Sequence, residues 1–157
     1  MAEGSLITDR LRKLVGVPGE PTIFKVEEGT IKRYAEAIGD PNPLYNDIEY
    51  ARESKYGRLI CPGGFPGYPI KGRLPVHKVN ETLWEAGAPL GLLDGGIEFE
   101  FLGPIGAGDV LVATAKIIDQ TERETKSGKM MFSVAETTYI NQNDDVVLKR
   151  RQTHINH

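Results

Sequence analysis

The chain has 157 residues, 39% of them hydrophobic and 26% charged, enough to bury the core of one domain over residues 1–157. A formal net charge of −3 and a sequence pI near 5.7 argue against a nucleic-acid partner, since phosphate recognition needs a basic surface. No apolar run approaches the ~20 residues of a membrane span and the N-terminus lacks a signal-peptide pattern, so the reading is a soluble, cytoplasmic protein. The lone Cys61 has no disulfide partner, and His77, His154 and His157 are scattered rather than set at zinc spacing, so no metal or cofactor is expected.

Leu6, Ile7, Leu11, Leu14 and Val15 form a helical stripe behind Ser5 as N-cap, with Gly16 as the stop. Pro18, Gly19 and Pro21 break the chain, and Thr22 to Val26 reads as a short strand. Glu27 and Glu28 then mark a helix start, where the dipole favours negative charge. In that helix Ile31, Tyr34, Ala35 and Ile38 share one face at i, i+3, i+4 and i+7, and Gly39 sits at the C-cap position. Pro41 and Pro43 forbid continuation. A residue before proline is driven from the helical region, so Asp40 and Asn42 are held extended in a stiff polar loop that leads to a short helix over Asp47 to Ser54. A carboxylate and an amide fixed in direction suit an active site; the same two residue types are also ordinary turn formers.

From Gly57 to Gly108 the chain holds 12 of its 18 glycines and 6 of its 10 prolines, which excludes one long helix. Cys61 to Pro69 is a loop, and Val76 to Ala86 is helix-like with Val76, Val79, Leu83 and Trp84 inward. Strands follow. Ile97, Phe99 and Phe101 alternate with Glu98 and Glu100, the pattern of a sheet with one wet face. Asp109 to Thr121 places Leu111, Ala113, Ala115 and Ile117 on one side, and Met130, Phe132, Val134, Thr138 and Ile140 mark a long strand. The last strand, Val146 to about Ile155, carries Lys149, Arg150, Arg151 and Gln152 and reads as an edge or a wet interface. One early strand, central helices and four later antiparallel strands imply an α+β domain.

The ordered run Tyr34, Ala35, Gly39, Asp40, Asn42, Pro43, Leu44 and Ala51 resembles the signature of the MaoC-like, or hydratase-2, dehydratases of the hotdog superfamily. The likeness extends through Tyr56-Gly57, Pro62-Gly63, Gly95 to Phe101, Pro104, Gly108-Asp109 and Thr137 to Tyr139, nearly the whole chain. It is nearest to the N-terminal-type MaoC domains, which commonly pair with a second hotdog domain. The resemblance implies an antiparallel sheet wrapped around a central helix. It implies a 2-enoyl or (3R)-hydroxyacyl thioester as substrate, on coenzyme A or a carrier protein, and a homodimer or a heterodimer with another hotdog subunit. It assigns catalysis to Asp40 and position 45, substrate binding to Asn42, Gly63 and Gly64, and to the Gly63 amide the role of facing the thioester carbonyl, where enolate charge forms.

Active members carry a His where this chain has Tyr45. A phenol with a reference pKa of ~10 is a poor base near neutrality, although it can donate a hydrogen bond or hold a water. Asp40 would then work almost alone, or beside an intact Asp/His pair in a partner subunit. His77 reads as a surface or structural residue, and His154 and His157 carry no assignment. The leading expectation is a hydratase/dehydratase component that shares catalysis with a partner. The alternatives are a non-catalytic, acyl-binding subunit and a hotdog thioesterase, which the Gly-Asp-Pro-Asn-Pro loop disfavours.

Overall fold

The computed structural model describes residues 4–68 and 75–157, apart from the Val76 side chain, so the inward placement expected of Val76 lies outside the described residues. In chain order the elements are α1 (Asp9–Arg12), β1 (Thr22–Lys25), α2 (Glu28–Ala37), α3 (Pro43–Asn46), α4 (Ile48–Glu53), α5 (Pro75–Glu85), β2 (Leu92–Phe101), β3 (Val110–Thr125), β4 (Gly128–Ile140) and β5 (Val146–Asn156). The strands make one antiparallel sheet in the order β1-β3-β4-β5-β2.

One face of this sheet meets α5: Val79 and Leu83 pack against Ala115 and Ile117 of β3 and Met131 and Ala135 of β4. Small residues at the strand centres let a helix approach closely. A second cluster gathers Ile31 of α2, Ala51 of α4, Phe24, Val26, Leu111, Tyr139 and Leu148, which seats the α2–α4 segment at the other end of the same face. No helix among the described residues is long and apolar enough to cross a membrane.

Two expectations change, at the first helix and at the last strand. The first helix is a single turn capped by Thr8 rather than Ser5, and it ends before Val15, which is exposed. Beyond it Val15 and Pro18 bridge to β3 instead, a sheet contact that a helical stripe cannot announce. On β4 the fully buried face is Met131, Ser133, Ala135, Thr137 and Tyr139, while Phe132 and Val134 lie half-buried on the other side. The last strand is not an edge. β5 lies between β4 and β2, and Arg151 reaches Glu136 on one neighbour at 3.0 Å and Glu98 and Glu100 on the other at 3.2 and 3.3 Å. The charge of Arg151 is paired across the ladder to both neighbouring strands, not exposed to a boundary. The true edge is β2, whose Leu92, Leu93, Ile97 and Phe101 remain exposed.

Candidate active site

The end of α2 builds the loop that carries Asp40. Gly39 adopts φ +67, a left-handed conformation that ends the helix without a Cβ clash, and the Asp40 N–H donates back to the Ala35 carbonyl at 2.9 Å. Asp40 Oδ1 then accepts the Asn42 N–H at 3.0 Å. Asn42 repeats the device: its Oδ1 accepts the Leu44 N–H at 3.0 Å and caps α3, with Pro43 in the first turn. Asn46 closes the unit by donating from Nδ2 to the carbonyls of Asp40 and Asn42, at 3.0 and 3.1 Å. Asp40 Oδ2 meets no donor among the described residues, so one carboxylate oxygen is held and the other is free to act.

Tyr45 lies on α3, half-buried against the cluster around Ile31 and Tyr139. A turn of helix after Pro43 was not expected from the sequence; it puts Tyr45 on a fixed element instead of in the extended loop.

The segment after Leu59 is docked beside this unit. The Ile60 N–H donates to the Leu44 carbonyl at 3.1 Å, and Phe65 stacks on Tyr34 of α2 with centroids 4.3 Å apart. Gly63, between these anchors, is exposed, and its N–H meets no acceptor among the described residues. Gly64 lies against the Tyr34 hydroxyl. At Gly67 a Cβ would come within 2.6 Å of Val26, so only glycine lets the loop cross the core there. The two loops are neighbours, yet they line separate cavities. Asp40 and Asn46, with Lys32 and Glu36, line one of about 390 Å³. Gly63 lines another of about 380 Å³ with Tyr56, Cys61 and the end of β2 at Phe101 and Leu102.

A model of the "FAS1-like, dehydratase domain region" matches residues 13–150. The chain belongs to this dehydratase family. Among curated relatives, a UPF0336 protein of Thermobifida fusca is 31% identical over 102 residues, 63% of this chain, and the match spans only 64% of that relative's length. A UPF0336 protein of Streptomyces coelicolor is 30% identical over 68% of this chain and 70% of its own. Solved structures share the fold at lower identity. The HadBC (3R)-hydroxyacyl-ACP dehydratase complex of Mycobacterium tuberculosis superposes with a TM-score of 0.71 at 21% identity, covering 90% of this chain and 96% of that one. The ChsH1–ChsH2 complex of the same organism gives 0.71 at 20%, covering 94% and 93%. The fold is therefore the MaoC-like hotdog, with α5 as the helix inside the sheet.

Two further features of this family member were not among the expectations from the sequence. Arg58 clamps Asp109, which is 1% exposed, through bonds of 2.7 and 2.9 Å, and Gly106 and Gln142 add donors at 2.9 and 3.0 Å. Burial opposes the Asp109 charge, but these donors outweigh it and hold the carboxyl below its usual range. The clamp fastens the start of the Gly63 loop to the β2–β3 turn. Next to it, burial and the Asp109 carboxylate push the Cys61 thiol up to about 12, which leaves it neutral and unsuited to nucleophilic attack on a thioester. The second feature is the hydrogen-bonded hydroxyl pair of Tyr68 and Tyr139, with Arg150 close to Tyr139. The two-residue period of β5, which sets Leu148, Arg150, Gln152 and His154 on one face, was the signal that could have found it. His77 is exposed, as read, and among the described residues no cluster of His, Cys, Asp or Glu is placed to hold a metal.

Proposed function

We propose that this chain is a component of an (R)-specific 2-enoyl thioester hydratase, equally a 3-hydroxyacyl thioester dehydratase, and that it shares catalysis with a partner hotdog subunit seated along β2. In hydration Asp40, oriented by the Asn42 N–H, takes a proton from water as its oxygen bonds to the β-carbon. The enolate so formed places its charge on the thioester oxygen facing the Gly63 N–H, and collapses as Asp40 returns the proton it took from water to the α-carbon. Asn42 fixes Asp40, Gly64 backs the Gly63 turn, and Tyr45 holds the water as a hydrogen-bond donor. The substrate is an acyl-CoA or an acyl-carrier thioester.

The observation that carries the shared site is the position of the Gly63 cavity. Part of its wall is Phe101 at the end of β2, a strand that among the described residues pairs only with β5, so a subunit adding to the open edge would extend that wall beside Gly63 and complete the cavity. The second reading, an acyl-binding subunit without catalysis of its own, is favoured by Tyr45 standing where the family has His. Native mass and hydratase activity of the chain, alone and co-expressed with a candidate hotdog partner, separate the two. A dimer dissociated by Ile97→Lys, with turnover that falls on Asp40→Asn, supports the shared site. A monomer at micromolar concentration with full activity overturns it, and turnover indifferent to Asp40→Asn favours the second reading.

A further inference from the structure

Two adjacent arginines of β5 are treated in opposite ways. Arg151, on the outer face, has three carboxylate partners. Arg150, on the inner face, is only 9% exposed, and among the described residues no carboxylate forms an ion pair with it. Desolvating a guanidinium without a counter-charge is costly, so fully buried arginines are ordinarily paired. Its described contacts are neutral. It donates to the Gln152 Oε1 at 2.5 Å, lies near the Tyr139 hydroxyl, and is 5.9 Å from the centre of the Phe99 ring. Gln152 in turn donates to Asp94 at 3.1 Å, which leaves the nearest linked carboxylate one amide away. Among the described residues, five N–H donors in a rigid fork therefore answer to one neutral acceptor, the Gln152 Oε1.

We infer that Arg150 is the recognition site for a carboxylate on the acyl portion of the substrate, and hence that the thioester is that of a dicarboxylic acid. This rests on the function proposed above. Tyr45, Tyr68, Phe99 and Tyr139 belong to one cluster. An acyl chain whose thioester lay between the Asp40 and Gly63 loops would reach Arg150 by running inward past Tyr45 and parting the packed Tyr68 and Tyr139 rings. A planar fork matches a carboxylate in bidentate geometry. A carboxylate from a partner subunit is the poorer occupant, because Phe99 of the edge strand pairs directly with Arg150 across the ladder and its ring lies 5.9 Å from the guanidinium.

Binding of saturated, unreactive thioesters tests this without turnover. Succinyl-, glutaryl- and adipyl-CoA are compared with butyryl-, pentanoyl- and hexanoyl-CoA by isothermal titration with the full chain. At one chain length the diacid thioester is expected to bind about tenfold or more tightly than its monoacid counterpart, and Arg150→Gln to erase that preference. If Arg150→Gln does not fold, Arg150→Lys is read instead, and loss of the fork must weaken the diacid selectively. Equal affinity for both series in the wild type, or a preference that survives Arg150→Gln, overturns the inference and leaves the thioester reading standing. If no thioester binds, that reading fails, and free glutarate decides Arg150. A rise in melting temperature in the wild type but not in the variant supports the anion site; an equal response overturns it.

Discussion

The Asn42 N–H donates to Asp40 Oδ1 at 3.0 Å, so the residue proposed as the base is also the residue that shapes its own loop. The structural role of Asp40 and its proposed catalytic one fall on different atoms of one carboxylate, and substitutions can separate them. Asp40→Asn keeps an acceptor for the Asn42 N–H, and its stability is expected to stay within about 0.5 kcal/mol of the wild type. Asp40→Ala removes the acceptor and is expected to cost about 1 kcal/mol, the range of a lost cap. Turnover of the assembled enzyme should fall roughly 10²- to 10⁴-fold in both, as expected for a lost general acid–base group. Chemical denaturation beside a hydratase assay decides. Asp40→Asn that unfolds easily but keeps its activity per folded molecule makes Asp40 a turn residue only.

The Arg58–Asp109 clamp predicts an acid limb of stability. The folded-state pKa of Asp109 is depressed, so its contribution is complete above the unfolded carboxyl's pKa, near 4, and is lost as pH falls through the lower folded value. Asp109→Asn is expected to cost about 3 kcal/mol at neutral pH, the low end for breaking a buried pair because Arg58 is partly exposed, and to flatten that limb. Urea midpoints across the acid range for both proteins provide the check.

Much of this was legible in the sequence because the signals were local. The Ile31, Tyr34, Ala35, Ile38 stripe and Gly39 located α2 and its end, and the two prolines located the Asp40–Asn42 loop. What failed depended on distance. Counting charges put β5 at an edge because Glu98, Glu100 and Glu136, which neutralise Arg151, lie on two other strands. Arg58 and Asp109 are 51 positions apart, and no spacing rule joins them. The apolar residues of β4 located the strand, whose buried face, with Met131 and Ala135 packed in the cluster with α5, alternates with them. At the site, the residues of each loop were readable, but the division of Asp40 and Gly63 between two cavities belongs to the packing of whole segments.

His154, unassigned from sequence, becomes a second acid-sensitive group. It is 2% exposed, and its Nε2 meets no hydrogen-bond partner among the described residues. Burial drives its pKa down to about 4, with Asp94 opposing and Arg150 assisting. The unfolded chain takes up this proton first, near pH 6.5. Stability should therefore be complete above that pH and decline towards pH 4, by at most about 3 kcal/mol. His154→Phe should remove the decline in this window and leave the Asp109 limb at lower pH. A wild type whose stability is flat from pH 6.5 to pH 4.5 would refute the assignment.

Tyr45 decides how much chemistry the chain performs by itself. If the site lacks half of an acid–base pair, the isolated wild-type chain should hydrate a short 2-enoyl-CoA slowly, with Tyr45→His raising the rate because Asp40, Asn42 and Pro43 are already placed. The structure limits the gain. Tyr45 is anchored on α3 and its ring packs against the core, so a smaller imidazole leaves space behind it, at a cost of about 1–2 kcal/mol, and nothing among the described contacts is set to orient the new ring. A gain of roughly tenfold is therefore expected in place of the 10²- to 10⁴-fold that a well-held acid–base group contributes. Single-turnover rates for the isolated chain and for the complex make the comparison. A wild-type chain that is fast alone and is slowed by Tyr45→His would instead make the phenol a working member of the site, acting as the donor that holds the water for Asp40.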